Sequence, residues 1–107
     1  MQGRLAPFLI ICPLILVFSA CSSAESGQEI FKRRCAGCHG ANGAGDTTIG
    51  KHLKLRDLRS PEVQKLSDED LAQIISKGQP GKMPAFESKL TNEQIGEVMK
   101  FIRSLKN

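Results

Sequence analysis

Apolar side chains recur at three- and four-residue steps near the C-terminal end of the chain. These positions are Ile95, Val98, Met99, Ile102 and Leu105. Because three- and four-residue steps return to the same face of a helix, the spacing predicts one amphipathic helix from Asn92 to about Leu105, with its apolar face packed inward. Met99 belongs to that face and is interpreted as a gap-filling core residue.

Three segments carry a helix start signal, in which a capping hydroxyl precedes an acceptor side chain by three residues. They are Ser26-x-x-Glu29, Ser67-x-x-Asp70 and Thr91-x-x-Gln94. The first signal predicts a helix from about Gly27 into the cysteine-containing segment 35–39. The second predicts a helix from Asp68 to Lys77, where Gly78 can end it.

The remaining pattern adds one more helical element and two loops. A fourth, short helix is expected to start at Ser60-Pro61, since proline suits the first helical position. Residues 40–57 and 78–89 are rich in Gly, Pro and Lys and are predicted to be loops,. No stretch shows the alternation of a strand, so the predicted fold class is all-α.

The N-terminal end of the chain has the features of an export segment. Arg4 precedes an apolar run of 14 residues from Leu5 to Phe18, shorter than the roughly 20 apolar residues of a membrane-spanning helix. The following segment, Phe18-Ser19-Ala20-Cys21, resembles the lipobox of bacterial lipoproteins, although Phe18 stands where leucine is usual. In that motif the cysteine is acylated and becomes the new N-terminus.

These features predict three regions: a lipoprotein-type signal peptide at residues 1–20, a short tether at 21–26 and one domain at 27–107. Acylation of Cys21 would anchor the domain to a bacterial membrane on its extracytoplasmic side. The alternative is ordinary signal cleavage after Ala24, which would release a soluble periplasmic protein.

Composition limits what the domain can be. The chain has 107 residues, no Trp, no Tyr and five Phe, so its protein-only core is small and a cofactor would help to fill it. The formal charge of +4 comes without a dense basic run or many aromatic side chains, which argues against nucleic-acid binding. The cluster Lys32-Arg33-Arg34 is interpreted as a solvated helix face.

The segment Cys35-Ala36-Gly37-Cys38-His39 matches the requirements for covalent attachment of one haem. Two thiols three residues apart can add to the two haem vinyl groups, while the adjacent imidazole binds the iron. Cys35, Cys38 and His39 are therefore the predicted cofactor residues. Haem attachment would use Cys35 and Cys38, two of the three cysteines that follow the export segment. Cys21 is the third, and acylation would account for it.

Three other interpretations use the same residues. A thioredoxin-like redox pair would need a preceding βαβ pattern, which is missing. A zinc site could draw on Cys35, Cys38, His39 and His52, although their spacing is unlike that of a zinc finger. A structural disulfide between the two cysteines would leave His39 unexplained.

Met83 is the predicted second axial ligand of the iron. It lies in Gly78-Gln79-Pro80-Gly81-Lys82-Met83-Pro84, where Pro84 favours an extended backbone at Met83. Such a segment can present a thioether to the haem face opposite His39, filling both axial positions. His52 is the other candidate, but it is interpreted as a solvent-facing side chain.

The order of these elements over residues 26–105 resembles the class I cytochrome c family, in particular its short bacterial single-haem members. Gly27 and Phe31 look like the family's contact positions on the first helix, and Val98 and Phe101 look like their partners on the last. The resemblance implies a cytochrome c fold of three main helices plus a short one wrapped around a covalent haem. Many relatives have a proline soon after the cysteine motif whose carbonyl holds the histidine ring. This chain has none between Gly40 and Arg59.

The expected function is electron transfer between respiratory or periplasmic redox partners, without catalysis on a small-molecule substrate. Cationic side chains near the haem edge are expected to steer a partner with an acidic docking surface. These are Lys32, Lys51, Lys54 and Lys82. The alternatives are an enzyme subunit or haem sensor in which Met83 dissociates, and an accessory lipoprotein that uses haem only to fold.

Overall fold

The fold is a set of short helices without strands in the part of the chain that the structure describes. The structure is a computed structural model, and it describes residue 3, residues 12–17, residue 19 and residues 23–106. Its helices are α1 (Gly27–Arg34), α2 (Ala36–His39), α3 (Thr48–His52), α4 (Pro61–Gln64), α5 (Asp68–Lys77) and α6 (Asn92–Ser104). The all-α prediction is therefore confirmed.

The predicted export segment falls mostly outside the described residues, and Cys21 lies outside them altogether. Within the described residues, no helix combines the length and the apolar character that crossing a bilayer requires.

The predicted helix starts are confirmed, with one difference in detail. The Ser26 hydroxyl accepts from the Glu29 N–H while the Glu29 carboxylate accepts from the Ser26 N–H at 2.9 Å. Thr91 and Gln94 form the same reciprocal pair. At Ser67 only one of the two bonds is present: the Asp70 N–H donates to the Ser67 hydroxyl at 3.0 Å. The side chain of Asp is one methylene shorter than that of Glu or Gln, which limits the return bond.

Two parts of the helix prediction were wrong. The first helix does not run unbroken into the cysteine motif: it is interrupted at Cys35, whose φ of −117° departs from helical values, and α2 follows,. The predicted loop 40–57 contains the additional helix α3. Thr47 caps α3 by accepting from the Gly50 N–H at 2.8 Å, and it also donates to the carbonyl oxygen of Cys38 at 2.6 Å. That second bond is tertiary, so the local pattern did not reveal it.

The core lies where α1 crosses α6 and α5 packs beside them. Its buried members are Ile30, Phe31, Ile75, Phe86, Leu90, Ile95, Val98 and Ile102. The rings of Phe31 and Phe101 meet with centroids 5.0 Å apart. Met99 packs against this cluster and is half-buried, as expected of a residue on the apolar face of α6.

Side chain to backbone hydrogen bonds join the α4 region to α6. The Gln64 amide donates to the carbonyl oxygens of Leu58 at 2.8 Å and Ile102 at 3.0 Å. Arg103 donates to the Gln64 carbonyl at 2.9 Å and to the Asp68 carboxylate at 2.9 Å. These bonds fix the start of α5 and the short helix α4 against the C-terminal helix.

Candidate functional site

The cysteine motif is held in place by the loop that follows it. The Cys35 N–H donates to the Phe31 carbonyl at 2.8 Å, so the motif continues directly from α1. The Gly45 N–H donates to the His39 carbonyl at 2.7 Å. A Cβ atom built on Gly50 would lie 2.8 Å from the carbonyl oxygen of Cys38, so only glycine allows α3 to approach α2 this closely. The positions of Cys35 and His39 are thus set by backbone contacts on both sides.

Met83 is placed by a tight turn at the end of α5. The backbones of Gln79 and Met83 exchange hydrogen bonds of 2.8 and 2.9 Å across the turn. Gly78 has φ +66° at its start, and a Cβ atom there would lie 2.6 Å from the carbonyl carbon of Pro84. The turn therefore requires glycine at this position, and it leaves Met83 half-buried against the core.

The structure brings three of the predicted site residues to one cavity: Cys35, His39 and Met83 all line it. The cavity is open to solvent, and its walls enclose about 1020 Å³ of space free of protein atoms when the open part is included. Cys38 is half-buried in α2 and is not among the lining residues. His52 is exposed at the end of α3, also away from the cavity.

The cavity wall is mostly aliphatic, and sequence reasoning did not identify most of it. The apolar lining residues are Phe31, Leu55, Leu58, Val63, Leu66, Leu71, Ile74, Ile75, Val98 and Ile102. Lys54, Arg56, Gln79 and Lys82 are the polar side chains of the wall besides Cys35 and His39. Leu55 and Leu58 follow no helical or strand period, so the sequence pattern gave no signal for them.

Burial changes the acid–base properties of Cys35 and His39. It raises the pKa of the Cys35 thiol to about 11, with a smaller contribution from Cys38. It lowers the pKa of His39, so the imidazole is neutral at pH 7 and can bind a metal. The Phe31 ring lies beside the imidazole, with centroids 6.4 Å apart.

His39 Nδ1 is buried and has no hydrogen-bond partner among the described residues. The sequence has no proline between Gly40 and Arg59 to supply an acceptor for this nitrogen, and the described residues provide no other acceptor. A buried polar atom without a partner is uncommon and points to a functional position. His39 and Met83 both line the same cavity.

The donor set and the cavity fit haem. Imidazole and thioether are axial ligands of haem iron, thiols form its covalent links, and an aliphatic wall suits a flat apolar macrocycle. Within residues 23–106 and the few described positions before them, no three His, Cys, Asp or Glu residues are grouped to hold a metal ion by themselves. The zinc alternative would require such a group.

Comparison with known proteins agrees with this chemistry. Residues 22–102 match the family model described as cytochrome c oxidase, cbb3-type, subunit III. A cytochrome c6 from Leptolyngbya boryana is 32% identical over 81 residues, which cover 76% of this chain and 91% of that protein. The chain belongs to the c-type cytochrome family.

The solved structure of the KustC0563 c-type cytochrome is similar with a TM-score of 0.73 and 32% identity, covering 78% of this chain and 100% of that one. The cytochrome c fold expected from the sequence is thereby confirmed. The cofactor of the family is covalently bound haem c, and its members are electron-transfer proteins and not enzymes themselves.

Some relatives are much longer than this chain. The cbb3-type cytochrome c oxidase subunit CcoP of Azospirillum brasilense is 28% identical over 85 residues, which cover 78% of this chain but only 29% of that subunit. The chain therefore spans less than a third of the length of this relative.

Proposed function

We propose that this cytochrome carries single electrons between redox proteins, using one haem with His39 and Met83 as axial ligands. The observation that carries the proposal is that Cys35, His39 and Met83 all line the same cavity. Haem bound there supplies a one-electron couple between ferric and ferrous iron.

Each residue has a separate role in this proposal. The thiols of Cys35 and Cys38 form the thioether links to the two vinyl groups. Helix α2 contains Cys38 and His39 and has Cys35 as its N-terminal cap residue, so it keeps both cysteines near His39. His39 binds iron as a neutral imidazole, the form that burial favours. The Met83 thioether fills the opposite axial position. Because both axial positions are taken by protein, small molecules have no free site on the iron.

The axial ligand can be tested by replacing Met83, with Met99 as the matched control. Met83→Ala is expected to abolish the thioether charge-transfer band of the ferric protein and to lower the reduction potential, because a thioether raises the potential. Met99→Leu should leave both unchanged, since it is a volume-conserving swap in the core. An unchanged band in Met83→Ala would contradict the assignment. Carbon monoxide binding to the reduced wild-type protein would favour the haem sensor instead.

The two attachment points can be tested by extraction. Haem should stay on the denatured wild-type protein in acid acetone, and Cys35→Ala or Cys38→Ala should each leave one thioether bond by mass spectrometry. Replacement of the exposed Ser88 by Ala is a suitable control. If haem could still form two thioether bonds in either cysteine variant, the assignment of that cysteine would be wrong.

The proposed partners are redox proteins with an acidic docking surface. Lys51, Lys54 and Lys82 are exposed, and Lys54 and Lys82 also line the haem cavity. Electrostatic attraction acts mainly on the rate of encounter and is screened by salt. The bimolecular rate with the physiological partner should fall as ionic strength rises, and a flat dependence would contradict this docking mode.

We further propose that the cytochrome works on the extracytoplasmic side of a bacterial membrane, anchored by acylation of Cys21 after removal of residues 1–20. The export-type sequence, the lipobox resemblance and the leftover thiol support this. Glu25 pairs with Arg33 of α1, so the ordered domain would begin close to the anchor. Intact-mass measurement tests the anchor: an added acyl mass on Cys21 is expected, and an unmodified N-terminus at Glu25 would refute it.

A further inference from the structure

The charged side chains on the wall of the haem cavity are all cationic. Lys54, Arg56 and Lys82 line the cavity, and no carboxylate does so among the described residues. Haem carries two propionate groups, which are ionised at neutral pH and need cationic or hydrogen-bonding partners. The wall therefore offers the charge that these groups require.

Two of these cations come from one fixed segment of chain. The Leu55 N–H donates to the Gly50 carbonyl at 2.9 Å, and the Leu58 N–H donates to the Gly43 carbonyl at 2.8 Å. Lys54 directly precedes Leu55, and Arg56 lies between Leu55 and Leu58. The backbone of both cations is therefore held against the segment that follows His39. Neighbouring cations on one segment suit two carboxylates that leave the same edge of a macrocycle.

Lys54 has an unusual backbone conformation. Its φ of +54° is the only positive value among the non-glycine residues that the structure describes. Lys54 lies just past the end of α3: its N–H donates to the Lys51 carbonyl at 3.2 Å and the Leu55 N–H donates to the Gly50 carbonyl at 2.9 Å, a helix end at which glycine is the usual residue. Left-handed backbone costs roughly 1–2 kcal/mol for a residue with a Cβ atom. Glycine would avoid this cost, so the lysine side chain at this position calls for a reason.

Neither Lys54 nor Arg56 forms a short ion pair with a carboxylate among the described residues. Among the described residues Lys54 forms no ion pair, and Arg56 has only a long contact of 3.4 Å to the exposed carboxylate of Glu62. An exposed pair of that length contributes little. Lys82 is less suited, because it lies on the turn next to Met83, which is proposed to contact the centre of the ring and not its edge.

We propose that Lys54 and Arg56 bind the haem propionates and hold them ionised. This proposal rests on haem attachment at Cys35 and Cys38, since the vinyl groups linked there are on the edge of the macrocycle opposite the propionates. The Cys35 to His39 motif then fixes one edge, and the segment 54–56 fixes the other.

The test is the pH dependence of the reduction potential in haem-loaded protein. Ionisation of a propionate stabilises ferric iron, so the potential falls as pH rises through the propionate pKa. An adjacent cation lowers the pKa of a carboxyl group by about 1–3 units. In Lys54→Gln and Arg56→Gln this fall should therefore move to higher pH by about one unit or more. The potential at a single pH is not sufficient, because removing any nearby positive charge lowers it.

Three further variants make the result specific. Lys51→Gln removes an exposed lysine that does not line the cavity, and it should leave the pH dependence unchanged. Lys54→Gly removes the cation while relieving the left-handed strain, so it should unfold at the same or higher temperature yet show the shift seen in Lys54→Gln. Lys82→Gln should also leave the pH dependence of the reduction potential unchanged.

Fully haem-loaded Lys54→Gln and Arg56→Gln proteins with the wild-type pH dependence would overturn the proposal. An equal shift in Lys51→Gln, or a shift confined to Lys82→Gln, would do so as well. Failure of the proposed function is distinguishable, because it would appear in the wild-type protein as haem that is extracted by acid acetone.

Discussion

The crossing of α1 and α6 depends on the absence of a side chain at Gly27. A Cβ atom built there would lie 3.0 Å from the amide nitrogen of Val98 and closer still to the carbonyl group of Glu97. Ordinary contacts between heavy atoms lie at about 3.5–4.0 Å. These neighbours are backbone atoms, so no change of rotamer can make room. Gly27→Ala therefore forces the two helices apart by roughly 1 Å.

The cost of this separation can be worked from the residues around the crossing. Overpacking in a core costs about 1–3 kcal/mol, and a rigid backbone neighbour places Gly27→Ala at the upper end. A gap of about 0.5–1 Å also forfeits a quarter to a half of the dispersion attraction between the facing atoms, including the contact of Phe31 with Phe101. Alanine recovers at most about 1 kcal/mol of helix propensity. We expect a net loss of about 2 kcal/mol, which lowers Tm by roughly 10 °C for a domain of this size.

Gly96→Ala is the matched control. Gly96 lies inside α6, and a Cβ atom built there meets nothing within 4 Å. This variant should gain about 0.5–1 kcal/mol, because glycine in a helix interior is less favourable than alanine. Thermal and guanidinium unfolding of the haem-loaded proteins, followed by far-ultraviolet circular dichroism, should separate the two variants in opposite directions. If Gly27→Ala is as stable as the wild type, the reasoning about the crossing is wrong.

Two other contacts give predictions of the same kind. Arg103→Met removes hydrogen bonds to two backbone carbonyls and a carboxylate and should lower the free energy of unfolding by about 1–3 kcal/mol, whereas the exposed Lys100→Met should change it by no more than about 0.5 kcal/mol. Gly50→Ala places a Cβ atom 2.8 Å from the Cys38 carbonyl oxygen and should destabilise the protein by about 1–3 kcal/mol, while Gly37→Ala, which meets nothing within 4 Å, should not. Denaturant unfolding measures both pairs, and equal stabilities within either pair would contradict the contact concerned.

The parts of the fold that depend on local chemistry could be predicted from the sequence. The caps at Ser26 and Thr91 need only residues three positions apart, and the apolar face of α6 follows from helical periodicity,. The pairing of Phe31 with Phe101 came from the family resemblance, and the ring distance confirms it.

The missed parts depend on contacts between distant residues. α3 contains Thr, Ile and Gly, which are weak helix formers, and its cap Thr47 is bonded to the Cys38 carbonyl of another helix. Gln64 and Arg103 reach across the chain to backbone oxygens, and no local pattern encodes such a partner. Convergence of Cys35, His39 and Met83 was predicted from haem chemistry. Lys54 was predicted near the haem edge only as part of a docking surface, and Arg56 was not identified because no motif marks it.

The distribution of buried residues shows what the cavity does for the fold. All but two of the buried hydrophobic residues belong to the cluster on α1, α5, α6 and the 86–90 turn. Between residues 40 and 66, Val63 is the only buried large hydrophobic residue, and it lines the cavity together with the half-buried Leu55, Leu58 and Leu66.

The segment 40–66 therefore has no apolar cluster of its own within the described residues. Backbone hydrogen bonds, Gln64 and the packing of Leu58 against the core cluster hold it to the rest of the domain. The apolar side chains of Leu55, Leu58, Val63 and Leu66 line the cavity. Hydrogen bonds contribute only about 0.5–1.5 kcal/mol each, less than the burial of a leucine side chain, which is worth about 1.5–3 kcal/mol. Haem in the cavity would bury these leucines, so the cofactor that carries the electron also completes the core of this half of the domain.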